Sequence, residues 1–356
     1  MATSSLIPSG DFKASYAADT TIFPTAASRN LVIAGLALLC LAPLVVDRYW
    51  LSLLIQIGYL SIAALGLNIL VGFTGQISIG HSAFFGFGAF ASAYLSNRGV
   101  PVLLAIPLAG VATTAVGMIF GLPAARLKGL YLAIATLAAQ YILQDFFARA
   151  DWFTGGVAGT SAKAPTLLGL TFNTDAGYFY VTLAFMVVSY VLATNLMRSR
   201  DGRALVAVRD HYLSAEIMGI NLTKYRTLSF GISSFYAGLG GALYAHYLQY
   251  VSVEGFTILF SIQFLGMIII GGLGSIMGSL MGTAFMVILP EAMGWLTASL
   301  AGTSIDRALL LKDNLSYLRE MAIGLVIILF LIFEPDGLAH RWRRTKAYWK
   351  LYPFQH

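Results

Sequence analysis

Charge is scarce in this chain. Only 11% of its 356 residues are Asp, Glu, Lys or Arg, against 58% hydrophobic, and the mean hydropathy is +0.77. A soluble domain carries about 25% charged residues. Too little polar surface exists to cover a water-soluble globule, so the composition points to an all-α, polytopic membrane protein. Cysteine is nearly absent as well: Cys40 stands alone in an apolar run, which excludes an intramolecular disulfide. His81 has no second His or Cys at ligand spacing, so no metal site is expected. GGLGSIMGS lacks the Lys of a phosphate-binding loop, and no Lys or Arg occurs between Thr227 and Asp306. GFGAFA (Gly86 to Ala91) matches GxGxxA but sits in an apolar span without a βαβ pattern, which excludes a dinucleotide site. No GxSxG or HExxH occurs. No enzyme activity and no cofactor are therefore expected. Acidic residues are missing at mid-depth too. Asp145, Glu291 and Glu320 are expected near span ends, which argues against coupling to protons or sodium.

What fills the chain instead is apolar runs. Ten spans are expected, over 30–47, 51–71, 76–96, 101–122, 129–148, 178–198, 227–250, 257–272, 275–296 and 319–334. The third is the weakest, because Gly75 to Gly88 is rich in Gly and Ser and reads as a broken or re-entrant element. Residues 1–28 are polar and hold Pro8 and Pro24, a composition for a disordered tail rather than a signal peptide. Residues 29–340 form the membrane domain, and 341–356 a basic tail. With both termini inside, fifteen Lys and Arg face the cytoplasm and seven face out, the asymmetry of the positive-inside rule. That topology explains the net charge of +6 without nucleic acid as a partner. Two long outer segments, 149–177 and 297–318, are expected as caps over helix ends.

Polar residues at membrane depth are neutral or weakly basic. Asn68, Gln76, Ser78, His81 and Ser82 cluster around the broken third element. They read either as the lining of a pathway for a polar solute or as interhelical hydrogen-bonding groups. Gln56, Gln140 and Gln263 belong to the same neutral class. Gly274, Gly278 and Gly282 recur every four residues, and Gly238 lies in a second such ridge with Ser234 and Ala242; both ridges predict close helix packing. The pairs Gly72–Gly75 and Gly271–Gly274 hint at an internal repeat.

One charged interruption, residues 199–226, lies between hydrophobic segments. Leu205, Val208, Tyr212, Ala215 and Met218 recur at steps of three or four, which predicts one amphipathic helix capped by Asp201 and stopped by Gly219. Its apolar stripe has no obvious cover in the cytoplasmic part of the chain. The stretch GRALVAVRDHYLSAEIMGINLTKYRTLSF with YAGLGGALYA resembles the cytoplasmic loop of LivM-like permeases, the branched-chain amino acid type of ABC importer subunits. GLNILVGFTGQISIGHSAFFGFGAF, IIIGGLGSIMGSLMG and FEPDGL resemble other blocks of that family, in the family's order.

The resemblance implies a coupling helix that docks into an ATPase subunit, here through Leu205, Val208, Arg209, Tyr212, Ala215, Met218 and Gly219. It further implies a second, LivH-like permease, two cytoplasmic ATPases, a periplasmic solute-binding protein, surrounding membrane lipid, and a place in the bacterial inner membrane. The family handles branched-chain amino acids, and similar members handle urea, amides and small organic acids. This chain departs from the family at TGGVAG, where Ala158 occupies a position that is commonly Asp or Asn. The alternative to an importer subunit is a self-sufficient carrier or channel.

Overall fold

The computed structural model describes residue 15 and residues 26–127, 129–167, 170–172, 174–299 and 315–351. The chain is mostly helical. Its long elements are α1 (Ala26–Val45), α2 (Arg48–Asn68), α3 (His81–Asn97), α4 (Val102–Ala124), α5 (Leu130–Arg149) and α6 (Asp175–Arg198). Two short helices follow, α7 (Arg200–Asp210) and α8 (Tyr212–Ile217). The second half comprises α9 (Leu222–Leu248), α10 (Ile258–Gly271), α11 (Ile276–Ser299), α12 (Leu315–Phe333) and α13 (Gly337–Leu351). Each of the ten expected spans falls on one of these helices. Among the described residues, five helices are long and apolar enough to cross a membrane: α2 with its extension to Phe73, α4, α5, α6 and α11. A sixth crossing results if α12 and α13, bent by 48° at their junction, are one broken span. Most of the tail expected over 1–28, and the outer segment around Asp306 to Asp313, lie outside the described residues, while α1 already begins at Ala26 within the expected tail. The basic stretch from Arg341 to Leu351 is helical, as most of α13.

The bundle is built around α9, which packs on α4, α3 and α2; α10 pairs with α11, and α6 leans on α2. Small residues permit these approaches. A Cβ on Gly88 would strike the backbone of Gly238, and one on Gly241 would strike the carbonyl of Phe85. Gly238 thus does what its ridge predicts. Gly278 and Gly282 likewise pack against Gly271 and Met267, so that α10 and α11 touch backbone to backbone. Gly274 does not belong to that ridge. It lies before α11 in a turn with φ +74°, where L side chains are strained, and it faces Gly72 instead.

α3 shows no single apolar face because most of it is buried in the bundle. Phe85 and Phe90 reach Phe264 and Phe256 of the α10 region with ring centroids 5.5 and 5.7 Å apart, and Phe90 meets Phe147 of α5 at 5.1 Å. The end of the bundle opposite α7 carries two antiparallel ladders. Thr160–Ser161 pairs with Tyr250–Val251, and Thr166–Leu167 with Leu170–Thr171. There Arg48 and Asp175 form an ion pair at 2.7 Å. At the junction of α12 and α13, Arg341 bonds Glu334 at 2.7 Å.

Candidate functional site

Three features on the described chain have the makings of function: a broken element, the charged loop, and a polar cavity. The broken element begins where α2 loosens into a π-helical turn, Ile69–Phe73, before an irregular stretch at 74–80 and the start of α3 at His81. The expected helix from 76 therefore begins five residues later. Thr74 bends the chain by donating its hydroxyl to the carbonyls of Ile69 and Leu70. Such loosened backbone is tolerated at membrane depth only when enclosed by protein.

All five expected pathway residues lie on or beside this element, and all five are buried. Asn68 donates to Ser275 O at 2.8 Å and Ser279 Oγ at 2.9 Å, and its Oδ1 accepts from Gly274 N at 2.9 Å. His81 Nε2 lies 2.8 Å from Ala63 O, and its ring stands edge-on to Phe264. Gln76 donates to Ser229 Oγ at 2.6 Å. Ser78 Oγ and Gln76 Oε1 are buried with no hydrogen-bond partner in the structure. Ser82 belongs to a knot that ties the N-terminal ends of α3 and α10 together. Its N–H donates to Ser261 Oγ at 2.9 Å and its hydroxyl to Thr257 O at 2.8 Å. Gln140 of α5 completes the knot, accepting from Ala83 N at 3.0 Å and donating to Phe256 O at 2.8 Å. This arrangement is one of interhelical hydrogen bonds. It fixes two short helices end to end, and none of the five residues opens onto the polar cavity described below.

In the charged loop the single predicted helix is two. Ser199, not Asp201, caps α7, accepting from Gly202 N at 3.2 Å. His211, at φ −156° and ψ 85°, breaks the helix, and its ring nitrogen caps α8. Gly219, at φ +87°, stops α8 as expected. The break divides the apolar stripe. Leu205 and Val208 of α7 are buried by the chain itself, through packing on α6, α9 and the π-helical turn. The expectation of an uncovered stripe is corrected for these two residues. Ala215 is also buried and Tyr212 half-buried. The apolar side chains left open are Leu213 at 51%, Ile217 at 86% and Met218 at 84% exposure.

Arg209 turns back into the protein: its Nη1 donates to Gly72 O at 2.6 Å and lies beside Gly274, while its Nε pairs with Asp210. One guanidinium therefore contacts both glycine turns, Gly72–Gly75 and Gly271–Gly274. Tyr225, at the start of α9, donates to Asp201 Oδ1 at 3.1 Å; that bond, chiefly, raises its phenol above the ordinary value, because a phenolate there would face a carboxylate.

The polar cavity was not anticipated. It has a volume of about 140 Å³ and lies between α2, α10, α11 and α12, with Gln56, Gln263 and Glu291 on its wall. Glu291 was expected near a span end, but α11 runs on to Ser299 and places it eight residues, about 12 Å, inside. The two glutamines were visible as membrane-depth polar groups. Nothing in the sequence pairs positions 56 and 263, which share no motif or spacing. Among the described residues, no group of His, Cys, Asp and Glu is arranged to hold a metal ion.

Residues 49–331 match the family described as branched-chain amino acid transport system / permease component. The high-affinity branched-chain amino acid transport system permease protein LivM of Salmonella typhimurium is 30% identical over 302 residues, covering 78% of this chain and 67% of that protein. LivM of Escherichia coli is 28% identical over 336 residues, covering 87% and 75%. The ribose import permease protein RbsC of Haemophilus influenzae is 25% identical over 289 residues, covering 80% and 84%. No solved structure matches the chain.

Proposed function

This chain belongs to the family of permease components of branched-chain amino acid transport systems, and from that premise we propose that it forms half of the translocation path of an ATP-driven ABC importer for a small amino acid. A second, LivH-like permease forms the other half. Two cytoplasmic ATPases supply the energy and a periplasmic solute-binding protein delivers the solute. The importer sits in the bacterial inner membrane, with α7 and α8 on its cytoplasmic face.

The observation that carries this reading is the family match across most of the membrane domain, joined to an exposed apolar tip on α8. Of the residues the resemblance implies for the ATPase contact, Met218 is exposed, and Leu213 and Ile217, which were not among them, are exposed beside it. Arg209, a partly exposed side chain whose guanidinium bonds Gly72 and lies beside Gly274, links that contact to the bundle, because a push on α8 is transmitted through a charge-assisted bond to the turns that end α2 and precede α11. Leu205, Val208 and Ala215 hold this docking unit in place from beneath, and Tyr212 and Gly219 bound it.

Branched-chain amino acids are favoured over sugars by the two LivM relatives, whose alignments rest on higher identity than that of the ribose permease. The test is uptake in proteoliposomes containing the two permeases and the ATPases, supplied with the binding protein and with L-leucine or ribose. Leucine uptake that requires internal ATP and all the subunits is expected. Leucine uptake by this chain alone, without ATP, would establish the self-sufficient carrier instead, and ATP-dependent uptake of ribose alone would overturn the amino acid assignment.

A further inference from the structure

Helices that lie in lipid leave no water for their polar side chains, so a polar group there bonds within the protein or faces a wet space or a partner. Asn68, His81, Ser82 and Gln140 satisfy the first condition. Gln56 of α2 and Gln263 of α10 do not. Both are half-buried, and among the described residues neither amide makes a hydrogen bond. They come from helices far apart in sequence and reach the same cavity of about 140 Å³. Glu291 of α11 lines it too, its carboxylate fixed by a hydrogen bond from the hydroxyl of Tyr49. The rest of the wall is apolar, with Leu60, Met267 and Met286 buried around it.

Two unpaired amides and a carboxylate on three helices, converging on one space, are not the pattern of a lipid-facing surface. Resting on the transport reading above, we propose that Gln56, Gln263 and Glu291 form the polar contact set on the translocation path, for a small zwitterion with an aliphatic side chain. Each part of the solute then has a counterpart. The ammonium pairs with the Glu291 carboxylate. The solute carboxylate accepts from the amide nitrogens of Gln56 and Gln263. The aliphatic side chain lies on Leu60, Met267 and Met286. A sugar can offer the carboxylate only hydroxyl hydrogen bonds, and a monocarboxylate is repelled by it, so the acid among the amides favours a solute that carries an ammonium. At about 30 Å³ per water the cavity holds roughly five waters, a space in keeping with a solute of a few heavy atoms.

The test uses the complete importer in proteoliposomes, with L-leucine as the probe. Glu291→Gln is expected to lower leucine uptake about tenfold or more, the scale of losing a charged hydrogen-bonded pair, and Gln56→Leu and Gln263→Leu to lower it by smaller factors. All three are expected to assemble with the ATPases in wild-type yield. Independently, Gln263→Cys in a Cys40→Ser background should react with the small cationic reagent methanethiosulfonate ethylammonium, and leucine should slow that reaction. Leu259→Cys, exposed on the same helix, is the control for a lipid-facing position. A Gln263→Cys protein that reacts no faster than Leu259→Cys shows the cavity to be dry and overturns the proposal. Loss of assembly in proportion to uptake in the three variants also overturns it, by making these residues contacts to the second permease. Variants that carry leucine like the wild type refute the site alone, whereas a wild type that moves no amino acid refutes the transport reading and the zwitterion with it.

Discussion

Asn68 commits its whole side chain to one turn. Both ends of the amide bond the backbone or hydroxyls of 274–279, which locks the end of α2 to the start of α11. Interhelical hydrogen bonds inside membrane proteins average only about 0.6 kcal/mol each, yet the three strong ones here add to roughly 2 kcal/mol. Asn68→Ala also removes the side-chain acceptor of the Gly274 N–H. The expected result is a purified protein with normal insertion but a clearly lowered melting temperature in detergent, followed by tryptophan fluorescence. Asn68→Asp should be worse, because its second carboxylate oxygen would face the carbonyl of Ser275 in place of a donor. Equal melting temperatures for wild type and Asn68→Ala would show that the turn holds without the clamp. The sequence marked Asn68 as a polar residue at depth, but its partners lie more than two hundred positions away. A residue whose bonding is wholly long-range reads the same, in sequence, as one lining a pore.

α7 and α8 show where periodicity is a good guide and where it stops. The steps of three and four from Leu205 to Met218 are a true helical pattern, and Gly219 does end it. The break at His211 carries no Pro or Gly to announce it, so one stripe was read where two faces exist. Upstream of the break the apolar residues turn inward; downstream, Leu213, Ile217 and Met218 turn out. The consequence is a division of effects between substitutions that the sequence alone would have pooled. Leu205→Asp buries an unpaired charge within the chain and should cut the yield of folded, inserted protein. Ile217→Asp with Met218→Asp changes only exposed surface. That pair should leave folded yield intact and abolish co-purification with the ATPase, since burying side chains of that size contributes about 1.5–3 kcal/mol each to docking. Arg203→Ala, at an exposed position, should change little, because exposed charged contacts contribute about 0–1 kcal/mol. Co-purification that survives the double Asp substitution would remove α8 from the docking surface.

Over the whole molecule the ten apolar runs were legible because hydropathy depends on composition alone, and each became a helix. Their burial was not legible: α3 and α10 are short helices inside the bundle, reached through irregular segments, so hydropathy counts helices rather than crossings. Orientation can be argued from how the ends are assembled. One end gathers α7, α8, the turn at Gly271–Gly274 and the junction before α13, tied together by Arg209 and by the contact of Gly272 with Asp336. This end holds Arg198, Arg200, Arg203, Arg209, Lys224, Arg226 and the basic face of α13. The other end holds the strand ladders and the Arg48–Asp175 pair, and among the described residues the sequence expects only Arg48, Arg98, Arg149 and Lys163 there, with Arg319 at the start of its span. By the retention of Lys and Arg on the cytoplasmic side, the α7–α8 end is the one proposed to lie inside. Single cysteines at Ser214, Lys346 and Val157, each exposed, report this directly in a Cys40→Ser background. In intact spheroplasts an impermeant maleimide should label the Val157 position and spare the other two, and permeabilised cells should yield labelling at all three. Labelling at the Ser214 position from outside would reverse the orientation and remove α8 from the reach of any cytoplasmic ATPase. Labelling at the Lys346 position alone would place α13 outside, so that α12 ends its crossing there and the number of spans becomes odd.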